Sequence, residues 1–464
     1  MEPQPPTPVV EERKENVLLT FIRKKLGSIN IGHLLLVLLA LHLFAMSFPS
    51  GTGCSQSNSA CVFDESYYVP ASNALLQGVA SNLEHPFFGK IWGALGIYLF
   101  GNEFFGWRIF YALIGVLSVW VFYELAFLLF SREFENKDPQ NPDSNQKAKE
   151  LALFAASFLG FETLFFVHTS LLLLEGPPIL FALLGFLLYF KRRYYLSALS
   201  FGLSVLSKEW GIYFIGALLL YHIYATRKTA LRELISGGRN LLRVVVFILI
   251  TLATYALPMW AYDIIYHPNV SPVGNITNPV LNWIYYFKYQ SSLVGCSGTT
   301  SWNCYPWRWI LPFNIQPSGY FVTTVTVTTK AANGTILATN VFHPIDWLGL
   351  GNLVIWYSIW LIVPIIVLKV LAFRDKFTRI DAFIAFWIIA TYLPWFYVSL
   401  VIHRVEYSFY FINVDPALAL GIPVVINYIA SDNRPLQRAL LLVWLAAAIV
   451  FFVLFFPVHP LDFR

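Results

Sequence analysis

Long apolar stretches separated by short charged segments recur along the whole of this chain. A helix needs about 20 predominantly apolar residues to cross the hydrocarbon layer of a bilayer. Of the 464 residues, 57% are hydrophobic and only 12% are charged, whereas soluble domains carry roughly 25% charged residues. Because backbone polar groups in lipid must be satisfied within the chain, such stretches span as helices. The sequence therefore predicts an all-α polytopic membrane protein.

The apolar stretches predict about eleven transmembrane helices. They cover residues 31–48, 107–130, 150–167, 171–190, 194–207, 211–226, 241–261, 347–371, 380–400, 407–428 and 439–457. With the N-terminus in the cytoplasm, most of the 31 Lys and Arg residues fall in cytoplasmic segments, as the positive-inside rule requires. This orientation divides the chain into a cytoplasmic tail (1–30), an N-terminal membrane half (31–261) with a catalytic first outer loop (49–106), a second outer loop (262–346) and C-terminal membrane helices (347–464).

Both outer loops carry signals of local structure. The apolar segment 86–101 is short and contains Lys90, which favours a helix lying in the membrane interface. Residues 322–341 alternate β-branched and polar side chains around the pair Asn333–Gly334. That pattern predicts a small β-hairpin in the second outer loop.

All four cysteines lie in the predicted outer loops. They form two locally spaced pairs, Cys54 with Cys61 and Cys296 with Cys304. Two short-loop disulfides in an oxidising compartment fit this placement. Metal binding is the alternative, but neither pair has ligand-like spacing with a nearby His. We therefore predict disulfides and assign no metal site.

The stretch FDESYY places two adjacent carboxylates, Asp64 and Glu65, just beyond the first apolar segment. A carboxylate facing a water-filled outer cavity can act as general base toward an incoming hydroxyl. Neighbouring residues need not face the same way, so one of the two can be the base while the other orients or binds. A solvated pair or a cap for the following helix is the alternative.

Three basic residues stand at the predicted outer ends of helices. Arg108 opens the second span, Lys208 lies at a turn in LSKEWG, and Arg404 lies in IHRVEYSFYF between two aromatic spans. Each is a candidate for binding an anionic ligand, and an Arg fork matches a phosphate well. Arg108 can instead pair with Asp64 or Glu65, or snorkel to the interface. Lys208 can instead be solvated beside Glu209.

Three further ionisable residues are candidates for lining the same cavity: His85, His168 and Glu175. His85 precedes Pro86 and can simply mark the start of the interfacial segment, and Glu175 can be a helix-start carboxylate. The cytoplasmic loops hold no nucleotide-binding glycine loop, which argues against a soluble nucleotide donor or an ATP-driven pump. The residues themselves therefore favour an enzyme that uses a lipid-linked, anionic donor.

In this order the motifs resemble those of the polyprenyl- or dolichyl-phosphate-mannose-dependent protein O-mannosyltransferases, a branch of the GT-C membrane glycosyltransferases. FDESYY resembles the Asp-Glu motif of that family, and NLEHPFFGK resembles its His-Pro-Pro-x-Gly-Lys. The matching later elements are WRIFYALIGVLSVWVFYELA, LLLLEGPPILFALLGFLL, ALSFGLSVLSKEWGIYFIG, PWRWILPF and LPWFYVSLVIHRVEYSFYFINVDPALAL. The chain departs from the pattern at Phe87, Ser170 and Glu175, and 262–346 holds no large lectin-like insert.

The resemblance implies a GT-C-type fold and transfer of a sugar, expected to be mannose, from a polyprenyl-phosphate carrier to Ser/Thr hydroxyls of proteins, with inversion. It carries the base role onto Asp64, with Glu65 beside it. Donor-phosphate or structural roles fall to Arg108, Lys208 and Arg404. Site-lining roles fall to His85 and Glu175. No cofactor is firmly implied, and a divalent metal stays an option.

Three alternatives stay open beside this interpretation. The same chemistry can act on a glycan or glycolipid acceptor. A transporter would place ionisable groups near the bilayer midplane, often in two repeated halves, and a noncatalytic scaffold would leave the acidic pair incidental. We expect the lipid donor, the acceptor and the bilayer as partners, and no nucleic acid. A prokaryotic cell membrane is favoured over the endoplasmic reticulum, with the site outside or lumenal.

Overall fold

The computed structural model describes residues 30–54, 60–137, 143–235, 239–271, 273–295, 305–311, 318–330, 336–431 and 433–459. Its α-helices, in chain order, are α1 (Ile31–Ala45), α2 (Glu65–Leu76), α3 (Phe88–Phe100), α4 (Phe104–Lys137), α5 (Ser144–Gly160), α6 (Thr163–Ser170), α7 (Gly176–Phe190), α8 (Tyr194–Ser207), α9 (Ile212–Ile235), α10 (Arg239–Tyr266), α11 (Pro279–Ser292), α12 (Pro306–Trp309), α13 (Leu353–Trp356), α14 (Ile359–Leu371), α15 (Arg379–Tyr397), α16 (Asp415–Ala430) and α17 (Arg434–Leu454).

Within these ranges, five helical segments are long and apolar enough to cross a membrane, and the bent pair α5–α6 makes a sixth. The five are Phe104–Glu135, Leu242–Tyr266, Leu353–Leu371, Arg379–Ile402 and Arg434–Leu454. Large apolar side chains such as Leu371 and Val443 are exposed on them, which is the surface expected to face lipid. The prediction of a multi-pass, mainly helical membrane protein is confirmed. The count of eleven spans stays a prediction.

Several helices begin at side chains that the sequence marks as caps. The Asn30 side chain accepts from the backbone N–H of His33, and the Asn433 side chain accepts from that of Leu436. Thr378 and Asp381 satisfy each other's backbone N–H groups at the start of α15. Such caps replace hydrogen bonds that the first turn of a helix lacks.

Three apolar segments are interrupted by a bend or a short non-α-helical turn. The helices α5 and α6 meet at an angle of 64°. The helix α8 ends at Ser207, where Lys208 is extended before a 3₁₀ turn (Glu209–Gly211). The helix α15 contains Pro394 and runs into a π-helical turn (Val398–Ile402), which the left-handed His403 ends. Non-helical backbone at membrane depth is tolerated where it lines a cavity, and the breaks after α8 and α15 carry Lys208, Glu209 and Arg404 into one.

Six short strands belong to the loops on this face. Strand β3 (Ser318–Val322) pairs antiparallel with β6 (Asp346–Gly349), and β4 (Val325–Lys330) pairs with β5 (Ile336–Phe342). The predicted hairpin is therefore confirmed, with Val325 opposite Phe342; its turn, 331–335, lies outside the described residues. A smaller pair joins β1 (Asn269–Val270) to β2 (Gly274–Asn275).

The apolar segment 86–101 forms α3, which packs closely on α4. A Cβ atom added at Gly96 would lie 1.9 Å from the carbonyl oxygen of Gly106, so the two backbones approach as only glycine permits. Ala94 and Ile97 are buried in the same contact region. The position of α3 relative to the membrane interface stays a prediction.

Of the two predicted disulfides, the one between Cys54 and Cys61 is present in the first loop. It closes the loop that leads into the FDESYY stretch. Cys296 and Cys304 lie outside the described residues.

Candidate active site

A cavity of about 810 Å³ opens where the first loop meets the broken helix ends. Its walls come from the start of α2, the turn before α3, the break after α8, α11 and the segment after α15. The charged and titratable side chains that line it include Asp64, Glu84, His85, Lys208, Glu209 and Arg404. Residues from four distant parts of the chain thus share one water-accessible space.

Asp64 and Glu65 point in different directions despite being neighbours. Asp64 is partly exposed and lines the cavity, where its Oδ2 accepts from the Tyr68 hydroxyl at 3.4 Å. Glu65 is fully buried and is not among the cavity-lining residues. The structure therefore separates an acid that can meet a substrate from one that cannot.

The backbone conformation at Phe63 helps to direct Asp64 and Glu65 to different sides. Phe63 has φ of 52°, a left-handed conformation that a bulky residue rarely adopts. Its ring is stacked on Tyr320, with centroids 4.1 Å apart and planes 6° apart, and meets Phe409 edge-on. Such a conformation persists only where the surrounding contacts hold it. Here the rings supply those contacts directly before Asp64.

Glu65 forms a buried ion pair with Arg108. Nε and Nη2 of Arg108 donate to the two carboxylate oxygens at 2.7 and 2.6 Å. The backbone N–H groups of Val62 and Leu172 donate to the same carboxylate at 3.0 and 3.1 Å. Other guanidinium N–H groups donate to the carbonyl oxygens of Met46, Pro49 and Ala60. Both charges are thereby satisfied inside the protein, as burial requires.

Arg108 accordingly lies away from the cavity. Its guanidinium is buried, and its N–H groups donate to Glu65 and to main-chain carbonyls. Arg108 therefore pairs with Glu65, one of the two partners considered for it, and is not placed to bind a donor phosphate. Lys208 and Arg404, by contrast, both line the cavity.

Burial is the main influence on the pKa of Asp64. Limited hydration raises the pKa of the Asp64 carboxyl to about 7, helped by the negative charges of Glu175 and Glu84 and opposed by Lys208. No salt bridge joins Asp64 to a cation among the described residues. A carboxylate with its pKa near neutrality and no paired cation is suited to accept a proton.

Lys208 begins a buried chain of polar contacts behind the cavity wall. Its ammonium donates to Glu175 at 2.5 Å, and Nδ1 of His168 donates to the other Glu175 oxygen at 2.9 Å. In the neutral ring, Nε2 of His168 then accepts from the Tyr320 hydroxyl at 2.9 Å. Since a carboxylate accepts only, Glu175 fixes both neighbours. Glu175 and His168 therefore support Lys208 from behind and do not line the cavity.

His85 pairs with Glu209 across the cavity wall, with Nδ1 2.8 Å from Oε2. Burial lowers the pKa of His85 although the Glu209 carboxylate opposes this. The charges of His85 and Lys208 hold the pKa of Glu209 below its usual range in spite of burial. The ammonium of Lys90 donates to the carbonyls of Asn82 and His85, which fixes the turn that carries His85.

Arg404 keeps unused donors. Its Nη2 donates to the Tyr410 hydroxyl at 3.0 Å, while Nε has no hydrogen-bond partner among the described residues. Nearby Glu406 is buried, and burial raises the pKa of its carboxyl to about 8 against the charge of Arg404. Glu406 is therefore mainly protonated at neutral pH and leaves the guanidinium charge uncancelled. An incoming anion would meet that charge.

The predicted site residues thus fall into three groups. Asp64, His85, Lys208 and Arg404 meet at the cavity; Glu175 and His168 lie behind it; Glu65 and Arg108 form a separate buried pair. Sequence reasoning missed Tyr320 and Tyr410. Tyr320 stands in a β-strand 152 residues from His168, and no local motif marks it. Tyr410 lies in the aromatic stretch that also holds Arg404.

Among the described residues, no three His, Cys, Asp or Glu side chains are grouped so that they could hold a metal ion. The acidic side chains at the cavity are Asp64, Glu84 and Glu209.

No family model matches the chain. It is 25% identical over 468 residues to a polyprenol-phosphate-mannose–protein mannosyltransferase of Mycobacterium tuberculosis, with 86% of this chain and 82% of that protein covered. Among solved structures it is similar to the S. cerevisiae protein O-mannosyltransferase Pmt1–Pmt2 complex bound to the sugar donor (TM-score 0.57, 11% identity, 95% and 91% of the two chains covered). The chain has the GT-C fold.

A second GT-C structure, ArnT from Cupriavidus metallidurans bound to undecaprenyl phosphate, has a TM-score of 0.50 at 15% identity, with 92% of this chain and 76% of that chain covered. The predicted resemblance to lipid-phosphate-sugar-dependent GT-C enzymes is therefore confirmed. Within this GT-C fold, the cavity described above lies at the broken ends of the helices, where the first loop crosses them.

The two adjacent carboxylates are expected to respond differently to removal of charge. Glu65→Gln leaves Arg108 buried without its counter-charge, and breaking a buried pair costs about 3–5 kcal/mol. Asp64→Asn removes no ion pair, so its thermal unfolding midpoint should stay close to that of the wild type. Thermal unfolding in detergent, followed by tryptophan fluorescence, measures both. Equal midpoints for the two variants would contradict a structural role for Glu65.

Proposed function

We propose that this protein is a membrane mannosyltransferase that transfers mannose from a polyprenyl-phosphate carrier to Ser or Thr hydroxyls of proteins, with inversion at the sugar carbon. One observation carries the proposal: Asp64, with its pKa raised to about 7, shares a cavity with Lys208 and Arg404. The relative from M. tuberculosis is named for a polyprenol-phosphate-mannose donor and a protein acceptor. This supports mannose and protein over a glycan or lipid acceptor.

Asp64 acts as general base in this proposal. The acceptor hydroxyl gives its proton to the Asp64 carboxylate while its oxygen attacks C1 of the sugar. The bond between C1 and the phosphate oxygen breaks, and its electron pair leaves with the polyprenyl phosphate. Because the phosphate leaves readily, no protonated acid partner is needed, unlike the case of glycoside hydrolysis.

Arg404 and Lys208 hold the donor phosphate. Arg404 retains an unused Nε donor and an uncancelled charge, and a guanidinium fork matches phosphate oxygens. Lys208 lines the cavity, and its ammonium is fixed by its ion pair with Glu175. Fixed cations stabilise the negative charge that grows on the departing phosphate. Glu65 and Arg108 act by fixing the first loop.

The polyprenyl chain leaves the cavity through its apolar wall. Phe287 and Leu293 border the cavity from α11 and the residue after it, and Val398 and Ile402 border it from the π-helical turn. The neighbouring Leu400 and Val401 are exposed, as side chains that face lipid are. A carrier can therefore keep its chain in the bilayer while its phosphate reaches Arg404.

The cavity opens on the outer or lumenal side, with the N-terminal tail (1–30) in the cytoplasm. The basic residues of the short loops at the opposite end support this orientation. The membrane halves 31–261 and 347–464 then enclose the site, and the outer loops 49–106 and 262–346 cover it. A prokaryotic cell membrane accords with the bacterial relative.

Purified wild-type protein in detergent should add hexose to a Ser/Thr-rich peptide when polyprenyl- or dolichyl-phosphate-mannose is supplied. Asp64→Asn keeps the shape of the side chain but removes its basicity, so transfer should fall by about 10²–10⁴-fold. Mass spectrometry of the peptide measures both. Asp375→Asn, a change at an exposed carboxylate, is the matched control and should keep full activity. An active Asp64→Asn variant would refute the base assignment.

The pH dependence follows from the pKa of Asp64, about 7. A general base acts in its deprotonated form, so kcat/KM should rise about tenfold per pH unit below pH 7 and level off above it. Initial rates at low donor concentration between pH 5 and 9 measure this profile. In Asp64→Asn this rise of kcat/KM below pH 7 should be absent. A rise that persists in the variant would assign the titration to another group.

Tyr320 is a positioning residue in this scheme. It stacks on Phe63 beside the base and bonds His168 behind Lys208. Tyr320→Phe keeps the stacking and loses the hydrogen bond, worth about 0.5–1.5 kcal/mol, so kcat should fall about 2–10-fold. Tyr320→Leu also loses the stacking and should lower kcat further and shift the pH profile of Asp64. Steady-state kinetics at equal amounts of folded protein test this; wild-type kcat in Tyr320→Leu would contradict it.

A further inference from the structure

A second cavity adjoins the first on the loop face. Its volume is about 470 Å³, and it shares Asn82 and Glu84 with the larger cavity. It runs between the segment 78–84 and the segment 266–270. Lys208 and Arg404 line the larger cavity and not this one. The second cavity therefore lacks the cations that are expected to hold the donor phosphate.

The first wall is a loop that follows α2. Gly78 turns the chain after α2 with φ of 74°, and the N–H of Val79 returns to the carbonyl of Ala74. Ala80, Ser81 and Asn82 then belong to neither a helix nor a sheet. Asn82 has φ of 49°, in the left-handed region that Asn tolerates, so this stretch is a loop and not a strand.

The second wall is anchored to the first. The Tyr266 hydroxyl donates to the carbonyl of Leu75 at 3.0 Å, which joins the end of α10 to the end of α2. Beyond it, Asn269 and Val270 form the short strand β1, which pairs with β2. The hydrogen bond between Tyr266 and Leu75, which are 191 residues apart in the sequence, thus ties the two walls together.

The lining suits a polypeptide. Ser81, Asn82 and Asn269 supply polar side chains that can bond main-chain groups, and the small side chains of Ala80 and Ser81 leave room beside them. No Lys or Arg lines this cavity, so it offers little to a phosphate. A lipid chain would require a continuous apolar wall, whereas Ser81, Asn82 and Asn269 interrupt this one.

Glu84 stands at the junction of the two cavities. It lines both, it is hydrogen bonded to Tyr289 of α11, and its charge acts on Asp64. A chain lying in the second cavity would therefore pass close to Glu84 as it brings a hydroxyl to the base. Its carboxylate would repel acidic residues beside the accepting Ser or Thr.

We propose that the second cavity, between residues 78–84 and 266–270, binds the acceptor as a polypeptide and that Glu84 selects against acidic residues flanking the modified hydroxyl. The inference rests on the proposed function, because it assigns the acceptor subsite of that reaction. The donor then approaches from the side of Arg404 and the acceptor from the side of Asn82.

The test fills the second cavity without touching the first. Ala80→Trp introduces a ring into the wall, Ala80→Ser is the conservative variant, and Gln77→Trp places the same ring on an exposed residue outside the cavity.

Two acceptors are compared: a long peptide with one threonine, and a blocked single threonine. For the long peptide, Ala80→Trp should raise KM about tenfold, or about 1.4 kcal/mol, with Ala80→Ser and Gln77→Trp near wild type. Transfer to the single threonine should not change.

Direct binding of the long peptide, labelled with a fluorophore and followed by anisotropy without donor, gives a second readout. Ala80→Trp should weaken it about tenfold. Equal peptide affinity in wild type and Ala80→Trp, at matched thermal unfolding midpoints, would overturn the acceptor subsite even if transfer proceeds. Wild-type protein that binds peptide at this cavity but releases no polyprenyl phosphate would instead refute the proposed function. Loss of transfer to an oligosaccharide in Ala80→Trp, with no peptide binding in wild type, would also overturn the polypeptide assignment.

The role of the Glu84 charge is tested in the same transfer assay with peptides that carry an acidic residue. Placing Glu beside the threonine of the long peptide should raise KM in the wild type, and Glu84→Gln should remove most of that difference. The same penalty in Glu84→Gln would overturn the selective role of Glu84.

Discussion

The buried ion pair between Glu65 and Arg108 is the contact on which the geometry of the cavity depends. It joins α4 to the start of α2, and its remaining hydrogen bonds reach the end of α1 and the backbone at Leu172. Charges taken out of water are stable only when every donor and acceptor is matched, and this pair is matched at nearly every atom. The first loop is therefore held in one position, and Asp64, which directly precedes Glu65, is held at the cavity wall.

The pairing of charged side chains also explains which groups remain available to substrates. The charge of Lys208 is balanced by Glu175, and Glu209 is hydrogen bonded to His85. Asp64 and Arg404 have no such partners among the described salt bridges, and the neighbour of Arg404, Glu406, is largely neutral because burial raises the pKa of its carboxyl. An acid and a cation that are both free of salt bridges among the described residues, in one shared cavity, are what a transfer from a phosphate to a hydroxyl requires. The paired residues set their positions.

Much of the fold could be predicted from local sequence. Apolar length predicted the helices, the alternation around Asn333–Gly334 predicted a hairpin, and the spacing of Cys54 and Cys61 predicted a disulfide. Each of these signals depends on residues close together in the chain. The contacts of Tyr320 could not be predicted in this way, because its two partners, Phe63 and His168, lie in segments far from the strand β3.

The sequence by itself determined that this chain enters a bilayer as helices and that acidic and basic residues collect at their ends, since apolar length and charge placement are local properties. It also determined that two carboxylates stand side by side at residues 64 and 65. Only the tertiary structure decided which of them meets a substrate. The left-handed backbone at Phe63 and the distant Arg108 turn Glu65 inward and leave Asp64 in the cavity, because side-chain direction depends on backbone dihedral angles and on partners that folding brings from elsewhere.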